Sequence, residues 1–309
     1  MICAKDLTMT FQSADPQKPF VALDHLHCQI PKGCIYGLVG TNGAGKSTLM
    51  RLIAGVYRPV GGSIEIDGMP VWENPTAKAR VMYIPDDLYF LPQSSLSKMA
   101  DFYRSVYPNF SRERYRKLMR TFVLDEKAPL SSFSKGMRRQ AATILGLSTM
   151  PDYLLFDETF DGLDPVMRKL VKQVIYNDIL ERKTTAIITS HSLRELEDTC
   201  DQLALLHKGG IVFESDVQNL KTAMFKVQIA FDHPFDQSVF ADFDIVSYEQ
   251  AGSVCNMILR GDREKNEQKL RAMHPLLCDL LPLNLEEVFL WETEALGYRF
   301  DEACEKGET

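Results

Sequence analysis

Gly40-Thr41-Asn42-Gly43-Ala44-Gly45-Lys46-Ser47-Thr48 decides the reading of this chain, because it matches G-x-x-x-x-G-K-[ST] in full. The apolar run Ile35–Val39 precedes it, and Ser47–Ala54 follows with helical spacing. Strand, glycine loop and helix in that order are the context the motif requires. The glycines let backbone N–H groups converge on phosphate oxygens without a Cβ in the way. The helix that follows turns its positive end toward the same anion. Lys46 supplies a point charge to the β- and γ-phosphates, and the Ser47 hydroxyl suits Mg²⁺.

Two further buried-looking strands lie downstream. Tyr153–Phe156 ends in Asp157-Glu158, and Thr184–Thr189 ends in Ser190-His191. Continuous apolar strands alternating with helices predict an α/β fold, a parallel sheet covered on both faces. Such sheets bind ligands at the C-terminal ends of their strands, where both carboxylates fall. Asp157 is placed to hold Mg²⁺ and Glu158 to orient the attacking water. Gly61-Gly62 and Asp67-Gly68 punctuate a hairpin around Ser63–Ile66. From about Ser94 to Thr149 the pattern turns helical. In Arg112–Phe122 the residues Tyr115, Leu118, Met119 and Phe122 form one apolar stripe. Arg112, Arg114, Arg116, Lys117 and Arg120 fall on the other face, which reads as a solvated surface or as a docking face for a partner.

The chain has 309 residues, which suggests about two domains. Hydrophobic residues make 45% and charged residues 25%, an ordinary globular balance that excludes collagen-like, coiled-coil and wholly disordered classes. Lys and Arg total 35 against 42 Asp and Glu, a net charge of −7 that speaks against nucleic acid as a partner. The seven cysteines are scattered without a CxxC pair, so neither a disulfide framework nor a zinc site is expected and a reducing cytoplasm fits. The start, MICAKDLTMT, lacks the pattern of a signal peptide, and no run approaches the roughly 20 apolar residues needed to span a bilayer. Any membrane span is therefore expected from another chain. Beyond about residue 220 the strand-like Phe225–Phe231 and Val254–Leu259 and the helix-like Asp262–Met273 and Leu285–Ala295 predict a small α+β domain. Its boundary falls near Ser215–Leu220, and Asp301–Thr309 reads as a frayed tail.

Ser134-Lys135-Gly136-Met137-Arg138-Arg139-Gln140 opens a helical run between the two motif regions. It resembles the signature of ATP-binding cassette (ABC) ATPases, usually LSGGQ, in the SKGM form of antibiotic and multidrug exporters of the bacitracin-exporter type. Asp161-Gly162-Leu163-Asp164 resembles the D-loop, and His191 the switch histidine. Asp6–Phe11 resembles the segment whose aromatic, here Phe11, stacks on adenine. The resemblance runs in continuous order from residue 1 to about 218. It implies a P-loop ABC core with an antiparallel β subdomain and a helical subdomain at about 94–149. Residues 219–309 would form the accessory domain.

The resemblance also implies a mechanism. ATP and Mg²⁺ are the cofactors, and two nucleotide-binding domains meet head to tail. Each ATP then lies between one chain's phosphate loop and Ser134, Lys135, Gly136 and Asp164 of the other, with Glu158 and His191 catalytic. Ser134 suits an N-cap, which would aim its helix at the γ-phosphate. Having one loop and one signature, the chain needs a second copy or a homologous ATPase. It also needs separate transmembrane permease subunits, which would hold it at the cytoplasmic face of the membrane and contact roughly Ser94–Arg120. One departure stands out. The family's usual glutamine after Val81–Pro85 is replaced by Asp86, which can ligate Mg²⁺ but adds negative charge near a triphosphate; Gln93 is the other candidate for that role. An exporter ATPase is the leading reading. A soluble regulatory or assembly ATPase and an import ATPase with a C-terminal regulatory domain are the alternatives.

Overall fold

β1 (Ile2–Phe11) buries Ile2, Cys3, Ala4, Leu7 and Met9 and pairs antiparallel with β2 (Phe20–Ile30). β3 (Ile35–Val39) is buried at all five positions, as a strand covered on both faces requires. The glycine loop leads from it into helix α1 (Lys46–Ile53). The expected hairpin is β4 (Gly61–Ile66) turning at Asp67-Gly68 into the short β5 (Met69–Pro70). Next come α2 (Pro75–Lys78), β6 (Val81–Ile84) and three helices, α3 (Leu96–Val106), α4 (Arg112–Phe122) and α5 (Lys135–Ser148). Then β7 (Tyr153–Phe156), α6 (Pro165–Arg182), β8 (Thr185–Ser190), α7 (Leu193–Glu197), β9 (Gln202–His207) and β10 (Gly210–Asp216) follow. The computed structural model describes residues 1–13, 18–160 and 163–295.

The chain divides into two compact units, Met1–Glu214 and Ser215–Thr309. In the first, a four-stranded sheet has the order β2-β1-β4-β5, with antiparallel neighbours throughout. A six-stranded sheet has the order β10-β9-β3-β8-β7-β6, and β9, β3, β8, β7 and β6 run parallel. One apolar core joins Leu7, Leu23 and Ile66 of the antiparallel sheet, Leu49 and Ile53 of α1, and Leu38, Leu155 and Ile187 of the parallel sheet. α1 is thus clamped between the sheets, which holds its N-terminus at the end of β3.

The second unit contains α8 (Val217–Ala223), β11 (Met224–Ala230), β12 (Ile245–Ala251), β13 (Val254–Arg260), α9 (Arg263–Ala272), β14 (Leu277–Pro282) and α10 (Leu285–Ala295). Its sheet has the order β12-β13-β11-β14, all antiparallel. Phe225, Val227 and Ile229 alternate into a core with Cys255, Met257 and Leu259, and Phe240 and Leu270 close it. The expected tail Asp301–Thr309 lies outside the described residues.

The helical segment follows the expected stripe, with Tyr115, Leu118 and Phe122 buried. One basic residue departs from it. Arg114 turns inward and ion-pairs with Asp178 of α6, a carboxylate with no exposure that Arg182 also contacts at 3.5 Å. Burial pushes the Asp178 carboxyl up, and the two guanidinium groups pull against that. Asp178→Ala leaves these cations uncompensated and should cost about 3–5 kcal/mol in urea unfolding. The turn carboxylate Asp67 is held the other way. Burial raises its pKa, but hydrogen bonds from Lys32, the Met1 amine, Tyr153 and Arg80 outweigh that and hold it well below its ordinary 3.8. A depressed folded-state pKa gives stability that is fully present above the unfolded-state value and is lost as the pH falls from there toward the folded one. The melting temperature should fall below about pH 4, and Asp67→Asn should flatten that part of the profile.

Candidate nucleotide site

Four neighbouring parallel strands deliver the expected site. β3 leads into the glycine loop, β8 into His191, β7 into Asp157 and Glu158, and β6 into Asp86. A cleft of about 470 Å³ opens there. Thr41, Asn42, Gly43 and Gly45 line it together with Lys46, Ser47 and Thr48, and Asp86, Glu158 and His191 face the same space.

The loop's geometry follows from its glycines. Gly45 sits at φ 108°, and a Cβ there would lie 2.5 Å from the Ala22 carbonyl. As N-cap of α1 it brings no side-chain acceptor, so no cap competes with a ligand for the first N–H groups of the helix. Gly43, at φ 81°, has open space where a Cβ would stand. Lys46 is almost fully buried and donates from Nζ to the carbonyls of Gly40 (2.6 Å) and Thr41 (3.2 Å). Its charge lies 3.4 Å from Glu158 Oε1.

Asp157 is buried and takes three hydroxyl donors. Ser47 Oγ (3.1 Å) and Thr189 Oγ1 (2.8 Å) reach Oδ1, and the Tyr83 hydroxyl (2.9 Å) reaches Oδ2. Burial first, then the neighbouring carboxylate, pushes the Tyr83 pKa up, which keeps that proton on as a donor. Thr189 also accepts from the Glu158 backbone N–H at 2.9 Å, so one side chain of β8 fixes both acids. Glu158 has φ 49°, uncommon for a residue with a Cβ, and such geometry concentrates at functional sites. Its Oε2 lies 3.1 Å from His191 Nδ1. Thr189 and Tyr83 were not among the expected residues. Their contacts to Asp157 span 32 and 74 positions, beyond the reach of a local motif.

A hydroxyl and carboxylates form a hard-oxygen donor set that fits Mg²⁺. Among the described residues no three His, Cys, Asp or Glu side chains converge as a protein-only cage. Mg²⁺ is usually bound through one or two carboxylates plus substrate phosphates, so this set fits it.

The remaining expected residues divide. Asp86 lines the cleft, whereas Gln93 sits on an exposed turn outside it. Phe11 does not line the cleft: it packs edge-on against Tyr57 at 5.6 Å, and its cross-strand partner Phe20, 52% exposed, lines the cleft instead. Ser134 caps α5 by accepting from Met137 N–H at 3.2 Å. Asp164 caps α6, accepting from Val166 and Met167 N–H at 3.0 Å each, with Pro165 in the first turn. Asp161 and Gly162 lie outside the described residues. Ser134, Lys135, Gly136 and Asp164 are absent from the cleft lining of their own chain.

The family model described as ABC transporter matches residues 23–161. The ABC transporter ATP-binding protein YtrB of Bacillus subtilis is 31% identical over 261 residues, covering 84% of this chain and 89% of YtrB. This chain belongs to the ATP-binding proteins of ABC transporters. It is an ABC ATPase. The bacitracin transport ATP-binding protein BcrA of Bacillus licheniformis is 29% identical, covering 72% of this chain and 71% of BcrA. The methionine import ATP-binding protein MetN of Protochlamydia amoebophila is 30% identical, covering 71% and 67%. A solved ATP-binding subunit of an ABC transporter superposes with a TM-score of 0.63 at 24% identity, covering 72% of this chain and 92% of that one. A dimeric, post-hydrolysis cassette bound to ADP and Pi gives 0.62 at 18%, covering 70% and 99%. These superpositions bear out the P-loop ABC fold.

Proposed function

We propose that this ATPase energises an exporter whose membrane chains are separate, and that it works as a head-to-tail pair with a second copy or a homologous subunit. The observation that carries the paired mechanism is the separation of the two halves of the site. Lys46, Ser47, Asp157, Glu158 and His191 share one cleft, while Ser134, Lys135 and Gly136 stand at the start of α5 outside it. A γ-phosphate in the cleft would then be capped by α5 of the other subunit, whose N-terminus favours an anion. Residues 1–218 act as the nucleotide-binding domain and 219–309 as an accessory domain.

Each residue has a defined task in this reading. The loop N–H groups and Lys46 hold the phosphates. Ser47 and Asp157 hold Mg²⁺, with Asp86 the third oxygen donor, and the ion supplies charge neutralisation at the phosphates. Glu158 orients the attacking water and accepts its proton, and His191, fixed by Glu158, touches the γ-phosphate. Asp164 contacts the other subunit. Either Phe20, which lines the cleft, or Phe11 beside it stacks on adenine. Export is favoured over import by the SKGM form of the signature and by the likeness to BcrA. Among the described residues no helix is long and apolar enough to cross a membrane. Association with the cytoplasmic face therefore runs through the permease, with the segment 94–120 as the docking surface. Exposed Tyr89, Phe102 and Val106 in and beside that segment support this.

Disulfide trapping tests the pairing. A chain carrying Asn42→Cys and Ser134→Cys should give a cross-linked band of twice the chain mass with ATP and not without it. Cys3, Cys28, Cys200 and Cys255 are buried, and the two single-cysteine variants report the background from the other three native cysteines. The same band without nucleotide, or none with ATP, would overturn the composite site.

A further inference from the structure

Asp86 sets a carboxylate on the wall of a cleft built for a polyanion, and such a charge repels phosphate. The signature helix answers it. Arg139 of α5 is 1% exposed, and its guanidinium ion-pairs with the Asp86 carboxylate. The same guanidinium donates to the Pro85 carbonyl at 3.3 Å, while its Nε has no hydrogen-bond partner. Its neighbour Arg138 donates to the Leu88 carbonyl at 2.9 Å and lies over the Phe90 ring at 5.6 Å. Two successive arginines of α5 thus hold the loop that follows β6. An arginine buried this fully needs a countercharge. Asp86 gains from it a partner that offsets its own charge.

We propose that Arg139 is a positioning residue for the ATPase site: it neutralises Asp86 and pins it, with Pro85, at the cleft wall, so that an acid can stand beside the triphosphate. This rests on the cleft being the ATP site. It also ties the wall of one chain's cleft to the helix that starts at Ser134.

The test is ATP binding by the full chain in EDTA, followed with a fluorescent ATP analogue, so that metal ligation does not enter. Arg139→Gln leaves Asp86 uncompensated and should weaken ATP about tenfold and ADP less, with the loss shrinking as salt rises. Asp86→Asn removes the carboxylate from the wall while the buried Arg139 charge stays behind it, and should bind metal-free ATP about threefold more tightly than wild type. The double variant Asp86→Asn/Arg139→Gln should return to within about threefold of wild type, since both charges are gone. A packing role for Arg139 predicts instead that the single and double variants are weakened alike, and that result overturns the proposal, as does unchanged affinity in Arg139→Gln. If Arg139→Gln does not fold, Asp86→Asn alone decides, since unchanged or weaker binding of metal-free ATP contradicts the charge argument. Lys46→Ala is the control. Wild-type affinity in that variant would fault the ATP site itself rather than the role of Arg139.

Discussion

Glu158→Gln should lower ATP turnover by about 10²–10⁴-fold while the protein still binds MgATP. Gln keeps the size of the side chain and can hydrogen-bond to water, but it cannot accept a proton. Lys46, 3.4 Å from Glu158, loses a competing anion and stays available to the phosphates. Hydrolysis therefore slows more than binding, and the ATP-bound state accumulates. On size-exclusion chromatography the variant should shift from monomer to dimer when MgATP is added. A protein that binds ATP and stays monomeric would move the reading from a self-paired ATPase to one that closes only with a different subunit or with its membrane partners. A turnover equal to wild type would remove Glu158 from the catalytic role altogether.

Lys46→Ala should be the most damaging change for binding. The side chain is buried, anchored on two loop carbonyls at 2.6 and 3.2 Å, and paired with Glu158. Its removal deletes the cation that faces the β- and γ-phosphates and leaves a carboxylate without its partner in the same cleft. Truncating one member of a buried charged pair typically costs about 2–5 kcal/mol. At about 1.4 kcal/mol per tenfold, nucleotide affinity should fall by at least roughly thirtyfold. Titration with a fluorescent nucleotide reads this directly. An affinity within about threefold of wild type would show that the loop amides alone hold the phosphates.

The parts of the site that were legible in the sequence are those whose chemistry is set locally. The glycine loop between an apolar strand and an amphipathic helix is one. The acidic end of β7 and the histidine after β8 are others, because a buried parallel strand presents its C-terminal residues where ligands bind. Helix α10, Leu285–Ala295, has the expected bounds because its apolar spacing needs no partner to be seen. What was hidden depends on contacts between distant segments. Thr189 and Tyr83 look like ordinary strand residues until β6, β7 and β8 are set side by side around Asp157. Arg114 sits in a basic run whose neighbours face solvent, and only the buried Asp178 draws it inward. Arg139 reads as one more basic residue of the signature helix; its 1% exposure follows from the loop it packs on. The cleft aromatic had a readable signal, since Phe11 and Phe20 flank one connection, but which ring turns toward the cleft is settled by the packing of Phe11 on Tyr57.

The three hydroxyls gathered on Asp157 bear on how the subunit passes between filled and empty states. That carboxylate accepts three hydrogen bonds from its own chain, from Ser47, Thr189 and Tyr83. A cation held by Asp157 and Ser47 together would ask only that the Ser47 O–H rotate about its Cβ–Oγ bond, turning from a donor to the acid into a donor elsewhere. Thr189 and Tyr83 would keep their bonds to Asp157. Release of the cation would reverse a torsion rather than refold a loop. The reorganisation that loading and unloading ask of Asp157 would then be confined to one hydroxyl hydrogen.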